Sequence, residues 1–143
     1  MLKKIKELSA YGKIKKEASI MDSRIDFYLS NEGDIKGCYV EVKGVTLVDD
    51  KQVALFPDDA PTERGSKHIE TLIELKEAGY QCVIFLIQHP LVCSFTPNSG
   101  QDLKFANLVT KAIKAGVKVL CYNCNIALDK PIRIGKVVSF KDE

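Results

Sequence analysis

The chain has 143 residues, of which 45% are hydrophobic and 28% charged, and its formal net charge is +2. That is one domain's worth of core and too little charge to demand a nucleic-acid partner on composition alone. The longest apolar run, Cys82 to Ile87, is far too short for a membrane span, and nothing reads as a signal peptide, so a cytoplasmic protein with no membrane partner is expected.

The first predicted element is a short helix, with Leu2, Ile5 and Leu8 at helical spacing and Gly12 as its stop. Lysines crowd this start: Lys3, Lys4, Lys6, Lys13, Lys15 and Lys16 are opposed only by Glu7. Such a patch suits a phosphate backbone, or equally a solvated basic surface. Lys13 to Ile20 reads as a first strand and carries Glu17. A second strand over Arg24 to Leu29 carries Asp26. The stretch Ser30 to Asp34 is rich in turn formers and leads to a third strand, Tyr39 to Lys43. Residues two apart on a strand share a face, so Glu41 and Lys43 lie together, with Val40 and Val42 opposite.

Hairpin pairing brings Asp26 near Glu41. An Asp followed by Glu-x-Lys is the active-site pattern of the PD-(D/E)xK nucleases. Two clustered carboxylates repel each other and gain from a divalent cation between them, and hard oxygen ligands suit Mg2+, or Mn2+. Such a cation and the lysine then stabilise charge developing on a phosphate and an attacking water. The same spacing also occurs on ordinary solvated strands, where cross-strand charge pairing is its whole role.

Lys51 to Phe56 reads as a further short strand, ended by the proline-bounded segment Pro57-Asp58-Asp59-Ala60-Pro61. Thr62 is a good N-cap for a helix running to about Ala78, with Gly79 as its stop and Ile69, Leu72, Ile73 and Leu75 or Lys76 as its buried stripe. Arg64, Lys67 and His68 stand in its first turns, against the helix dipole, a placement best explained by an anion such as phosphate. For His68 a hydrogen-bonded structural role is an equal reading. Gln81 to Gln88 has the look of a strand buried on both faces. His89-Pro90 ends it, Phe95 to Asp102 reads as a loop, and a helix from Leu103 to Ala115 is capped by Gly116. Val117 to Tyr122 is another buried strand, and Ile126 to Ile134, interrupted by Pro131, a last edge strand. Strands crossed over by helices imply an α/β fold, a mixed central sheet with helices on both faces.

The five cysteines, Cys38, Cys82, Cys93, Cys121 and Cys124, are odd in number and irregular in spacing, which fits reduced thiols better than a disulfide framework. Cys121-x-x-Cys124 has no second pair to complete a zinc site and lies on an apolar strand, so these are read as small buried residues.

With these segments in hand, the chain resembles the sugar fermentation stimulation protein family, SfsA. The resemblance rests on Ser23 to Leu29 (SRIDFYL), Val40 to Leu47 (VEVKGVTL), Phe56 to His68 (FPDDAPTERGSKH), Phe95-x-Pro97, the Asp102 to Ala106 helix start, and Ala115-Gly116-Val117. The Thr-x-Arg-Gly-x-Lys-His run is the specific part. The resemblance implies a restriction-endonuclease-like domain associated with DNA. It also implies an N-terminal OB-like domain, roughly eighty residues long, which the 143-residue sequence lacks, so a single nuclease-like domain over 1–143 is expected. The sequence departs from the family at Asp22 and in the doubled Asp58-Asp59.

The residues and the resemblance together lead to a magnesium-dependent nuclease acting on DNA or RNA. Asp26 and Glu41 are the expected metal ligands, with the backbone carbonyl of Val42 completing the site and Glu17 as an outer ligand. Lys43 orients the attacking water and offsets phosphate charge. Arg24, Arg64, Lys67, His68, Lys13, Lys15 and Lys16 are the expected phosphate contacts. The alternatives are a non-catalytic, sequence-tolerant DNA-binding module with a regulatory role in sugar metabolism, and a protein-interaction domain whose charged hairpin is only a solvated face.

Overall fold

The computed structural model describes residues 8–45, 47–48, 53–57, 61–88, 94–125, 133–137 and 139–140. Lys3, Lys4, Lys6, Glu7, Asp58, Asp59, Cys93 and most of the last predicted strand lie outside them.

The first three strands form an antiparallel meander. β1 (Lys13–Ile20) turns at Met21-Asp22 into β2 (Ser23–Ser30), and β2 runs through the Asn31 to Gly37 turn into β3 (Cys38–Val45). Asn31 ties this turn together. Its side chain accepts from the Gly12 N–H, and its own N–H donates to Asp34. Gly37 leaves no room for a side chain, because a Cβ there would strike the Leu29 carbonyl and the Tyr28 ring. Its N–H donates instead to the Tyr28 hydroxyl at 2.8 Å.

The chain then leaves the sheet through β4 (Leu47–Val48) and β5 (Val53–Phe56) and enters α1 (Glu63–Glu77). It returns as β6 (Gln81–Gln88), parallel to β3. After β7 (Ser94–Pro97) and α2 (Leu103–Ala115) comes β8 (Lys118–Asn125), parallel to β6, with β9 (Arg133–Val137) antiparallel beyond it. The main sheet thus has the order β1-β2-β3-β6-β8-β9, mixed as the sequence suggested. A smaller sheet, ordered β10-β7-β5-β4 with β10 (Ser139–Phe140), collects the short strands between the larger elements. β7 was not anticipated, since Phe95 to Asp102 read as loop, and β10 lies beyond the last predicted strand.

The helices depart from expectation. Both described helices pack on one face. Ile69, Leu72, Ile73 and Leu75 of α1 and Phe105, Val109 and Ala112 of α2 share one core cluster with Ala18, Ile25, Tyr39, Cys82 and Ile84 of the sheet. The cause is topological. The two parallel crossovers, β3 to β6 and β6 to β8, step across the sheet in the same direction, and right-handed crossovers then put both helices on the same side. The other face has its own cluster, Leu29, Cys38, Val40 and Val83, covered by Leu8 and Tyr11 ahead of β1.

The helix ends follow their sequence signals. Thr62 is the N-cap of α1, its hydroxyl accepting from the Gly65 N–H at 2.9 Å. Gly116 closes α2 in the left-handed region, φ 101°. Asp102 joins the two helix starts. Its Oδ1 caps α2 by accepting from the Phe105 N–H at 3.0 Å, and its Oδ2 accepts from the Thr62 N–H at 2.8 Å. This buried carboxylate fixes where α1 begins relative to the start of α2.

Candidate active site

Asp26 sits where the strand ladders on both sides of β2 lose a step. Towards β1, Lys16 pairs with Phe27 and Ala18 with Ile25, so Glu17 stands opposite Asp26 and the pairing skips that position. Glu17 has φ 53°, a left-handed conformation that costs a non-glycine residue of order 1 kcal/mol or more. Towards β3, the ladder runs Leu29 to Cys38, Tyr28 to Tyr39 and Phe27 to Val40, and stops one step short of Asp26 and Glu41. β2 also changes face here. Ile25 belongs to the helix-side core and Leu29 to the opposite one, although residues an even number apart on a regular strand share a face.

In the gap, the two acidic side chains replace the missing ladder bonds. Glu41 Oε1 accepts from the Asp26 N–H at 3.2 Å, and Asp26 Oδ2 accepts from the Val42 N–H at 2.8 Å. The backbone groups are satisfied, as burial requires, but through carboxylates. The two acids predicted to meet do meet.

Lys43 and His68 complete the cluster from above. The Lys43 ammonium lies 3.5 Å from Glu41 Oε2 and 3.0 Å from His68 Nδ1. His68 Nδ1 is also 2.6 Å from Glu41 Oε2. That short approach is not aligned as a hydrogen bond. Glu41 Oε2 is, among the described residues, the one buried side-chain oxygen or nitrogen with no hydrogen-bond partner. The Glu41 side chain is 1% exposed, His68 7% and Lys43 14%.

This burial sets the protonation. Desolvation first, then the Asp26 side chain as hydrogen-bond partner and as charge, push the Glu41 carboxyl up to about 7, against the pull of Lys43 and of the Asp26 backbone N–H. Desolvation, then the positive charges of Lys43 and Arg64, push His68 down to about 4. Near neutrality the imidazole is therefore uncharged, and the carboxyl keeps its proton to higher pH than an exposed glutamate does. A divalent cation fits this donor set on two grounds: both carboxylates are hard oxygen ligands, and one buried carboxylate oxygen lacks a partner. The set is sparse. Among the described residues no three His, Cys, Asp or Glu side chains form a metal-holding group, and Glu17, the expected outer ligand, is exposed on β1.

The expected phosphate contacts divide. Arg24 on β2, Lys13, Lys15 and Lys16 on β1, and Arg64 and Lys67 on α1 are all exposed. His68, one residue on, is buried and turned into the acidic cluster, because the helical turn that exposes Arg64 and Lys67 points His68 at the sheet. Two supporting residues were not singled out from the sequence. Asp102 was recognised only as a helix start. Ser23 bonds Thr71 at 2.7 Å, and Thr71 in turn donates to the Lys67 carbonyl, linking the start of β2 to α1. Short polar residues at element ends carry little signal for long-range partners. The buried thiols Cys38 and Cys82 are pushed up to about 11 and about 12 by desolvation, while the side chains of Cys121 and Cys124, the pair read as small buried residues, lie outside those described.

A family model, the sugar fermentation stimulation protein RE domain, matches residues 1–130. The chain belongs to this family. The sugar fermentation stimulation protein homolog of Methanobrevibacter smithii is 48% identical over 135 residues, covering 88% of this chain and 56% of that protein. The homolog of Clostridium novyi is 45% identical over 128 residues, covering 89% of this chain and 55% of that protein. Pyrococcus furiosus SfsA in complex with Ca2+ has a similar structure, with a TM-score of 0.86 at 28% identity over 97% of this chain and 59% of that one. The chain thus spans a little over half the length of the SfsA relatives it matches. No helix among its described residues is long and apolar enough to cross a membrane.

Proposed function

We propose that this SfsA-family chain is a metal-dependent phosphodiester hydrolase acting on DNA or RNA, with a restriction-endonuclease-like, PD-(D/E)xK site. The carrying observation is the convergence of Asp26, Glu41 and Lys43 where the ladders around β2 break. Asp26 and Glu41 would hold the cation, with the Val42 carbonyl between Glu41 and Lys43 as a backbone ligand. The Ca2+ of the Pyrococcus furiosus relative supports a divalent ion, with Mg2+ or Mn2+ as the working one. When bound, the ion supplies positive charge at a phosphate and lowers the pKa of water. Lys43 offsets phosphate charge and orients the attacking water. Arg64 and Lys67, exposed at the start of α1, would hold the phosphate beside the site. Lys13, Lys15, Lys16 and Arg24 would track the backbone on either side.

The test is cleavage of single- and double-stranded DNA and RNA with Mg2+, Mn2+ or chelator. Cleavage in metal and none in chelator is the expected result. A regulatory DNA-binding module is the second reading, favoured by the inward turn of the Lys43 ammonium onto Glu41 and His68. Nucleic-acid binding without cleavage in any of these ions would select it.

A further inference from the structure

We propose that His68 is a positioning residue that keeps the Lys43 ammonium off the metal-binding carboxylate of Glu41, an inference that rests on the cation site proposed above. Nδ1 is a single atom with a single in-plane role: it either carries a proton or offers a lone pair. An ammonium has donors only, so the 3.0 Å bond from Lys43 makes Nδ1 the acceptor and puts the ring proton on Nε2. Lys43 is thereby divided. It gives a hydrogen bond to His68 and stands 3.5 Å from Glu41 Oε2, attracted through space only. Oε2 stays without a hydrogen bond although two nitrogens are close to it.

Without the imidazole, that arrangement has a nearer resting place. The ammonium, on its flexible stem, would close onto Oε2, the adjacent buried acceptor, and make a hydrogen-bonded ion pair. A divalent cation would then have to break this pair to reach Glu41. With the imidazole present, Lys43 is held at the site without a hydrogen bond to Oε2. The placement of the ring is itself well secured. His68 lies in the second turn of α1, whose start is fixed by the Thr62 cap and by Asp102. Its Nδ1 faces inward, so a direct phosphate contact through that atom is not its role.

The experiment is calorimetric titration with Ca2+ alone of five forms: the unmodified chain, His68→Leu, His68→Asn, Lys43→Ala, and His68→Leu with Lys43→Ala. Leucine fills the volume without an acceptor, and the asparagine Oδ1 offers an acceptor near the position of Nδ1. His68→Leu should weaken Ca2+ about three- to tenfold, the effect of one modest ion pair. His68→Asn should stay within about twofold of the unmodified chain. Lys43→Ala should bind at least as tightly as the unmodified chain, and the double variant should return to the Lys43→Ala affinity. That recovery is what a merely structural histidine would not give. Unchanged affinity in His68→Leu, or a loss that persists in the double variant, overturns the inference and leaves the cation site standing. Absence of Ca2+ binding by the folded, unmodified chain overturns the cation site, and the inference with it. If His68→Leu does not fold, the ring nitrogen NMR signals of the unmodified chain decide. A bare Nδ1 supports the bond from Lys43, and a protonated Nδ1 refutes it.

Discussion

Glu41 answers to two opposed demands. Its burial favours the protonated acid, and its place beside Asp26 suits a carboxylate on a cation. Binding must therefore expel a proton, so Ca2+ affinity should rise as pH rises to about 7 and level off above it. A flat profile from pH 5 to 8 would mean that Glu41 is not a ligand. The same group gives a stability signature in metal-free protein. Its folded pKa, about 7, is above the reference 4.5, so its contribution is present at low pH and lost as pH climbs through that interval. His68 runs the other way, from about 4 in the fold against 6.5, so its contribution is lost as pH falls through that interval. Between about 4.5 and 6.5 the pair holds one proton folded or unfolded, and the two slopes cancel. Glu41→Gln should uncover the His68 slope, with stability rising with pH across that interval relative to the unmodified chain. Chemical denaturation at several pH values checks it, and parallel curves for the two proteins would count against it. Lys43→Ala and Asp26→Asn separate the roles further. Both should cut cleavage by about a hundredfold or more, but only Asp26→Asn should also weaken Ca2+. Equal cleavage by all three proteins would place the activity elsewhere.

At the scale of elements, Asp102 supports more structure than its position in a loop suggests. It caps α2 and holds the first residue of the α1 turn. Asp102→Ala should cost about 2 kcal/mol, one N-cap plus a buried N–H left without a partner. The unfolding midpoint in denaturant measures it, and a loss under about 0.5 kcal/mol would assign the α1 start to other contacts. The sequence made the helix itself plain: Thr62, Gly79 and the Ile69, Leu72, Ile73 stripe all act as their chemistry dictates. The meander was equally readable from strand parity and the turn formers of Ser30 to Asp34. The tie from Asp102 to Thr62 was not, because it spans forty residues and one aspartate at a helix start looks like any other. The left-handed Glu17 was hidden for a related reason: nothing in Lys-Glu-Ala marks a strand that must open opposite Asp26. β7 was missed because Pro97 and the loop formers after it outweigh four residues that pair only with distant strands.

For the molecule as a whole, the proposed function gives the exposed cations of β1, β2 and the start of α1 the role of sequence-tolerant phosphate contacts. Binding to random duplex DNA should weaken steeply with salt, with the slope reduced by about one for each cation removed that contacts a phosphate, as in Lys67→Ala. Affinity indifferent to salt, or strongly dependent on base sequence, would contradict this surface. The helices show a global rule overriding a local guess. Apolar stripes tell that a helix packs on a sheet but not on which face. The strand order decides the face, and that order depends on which parallel strands pair, a long-range outcome that no single stretch of sequence encodes.

The break in the ladders around Asp26 gives the protein an internal reporter. Two backbone amides, of Asp26 and Val42, are guarded by side-chain carboxylates where neighbouring strands would ordinarily offer carbonyls. Their protection from isotope exchange therefore depends on where those carboxylates point, while amides inside the intact β3 to β6 ladder depend on the sheet. An ion that recruits either acid should alter the exchange of these two amides first and leave the ladder amides unmoved. Site-resolved hydrogen–deuterium exchange with and without Ca2+ would read ligand capture at the two positions directly, before any substrate is known.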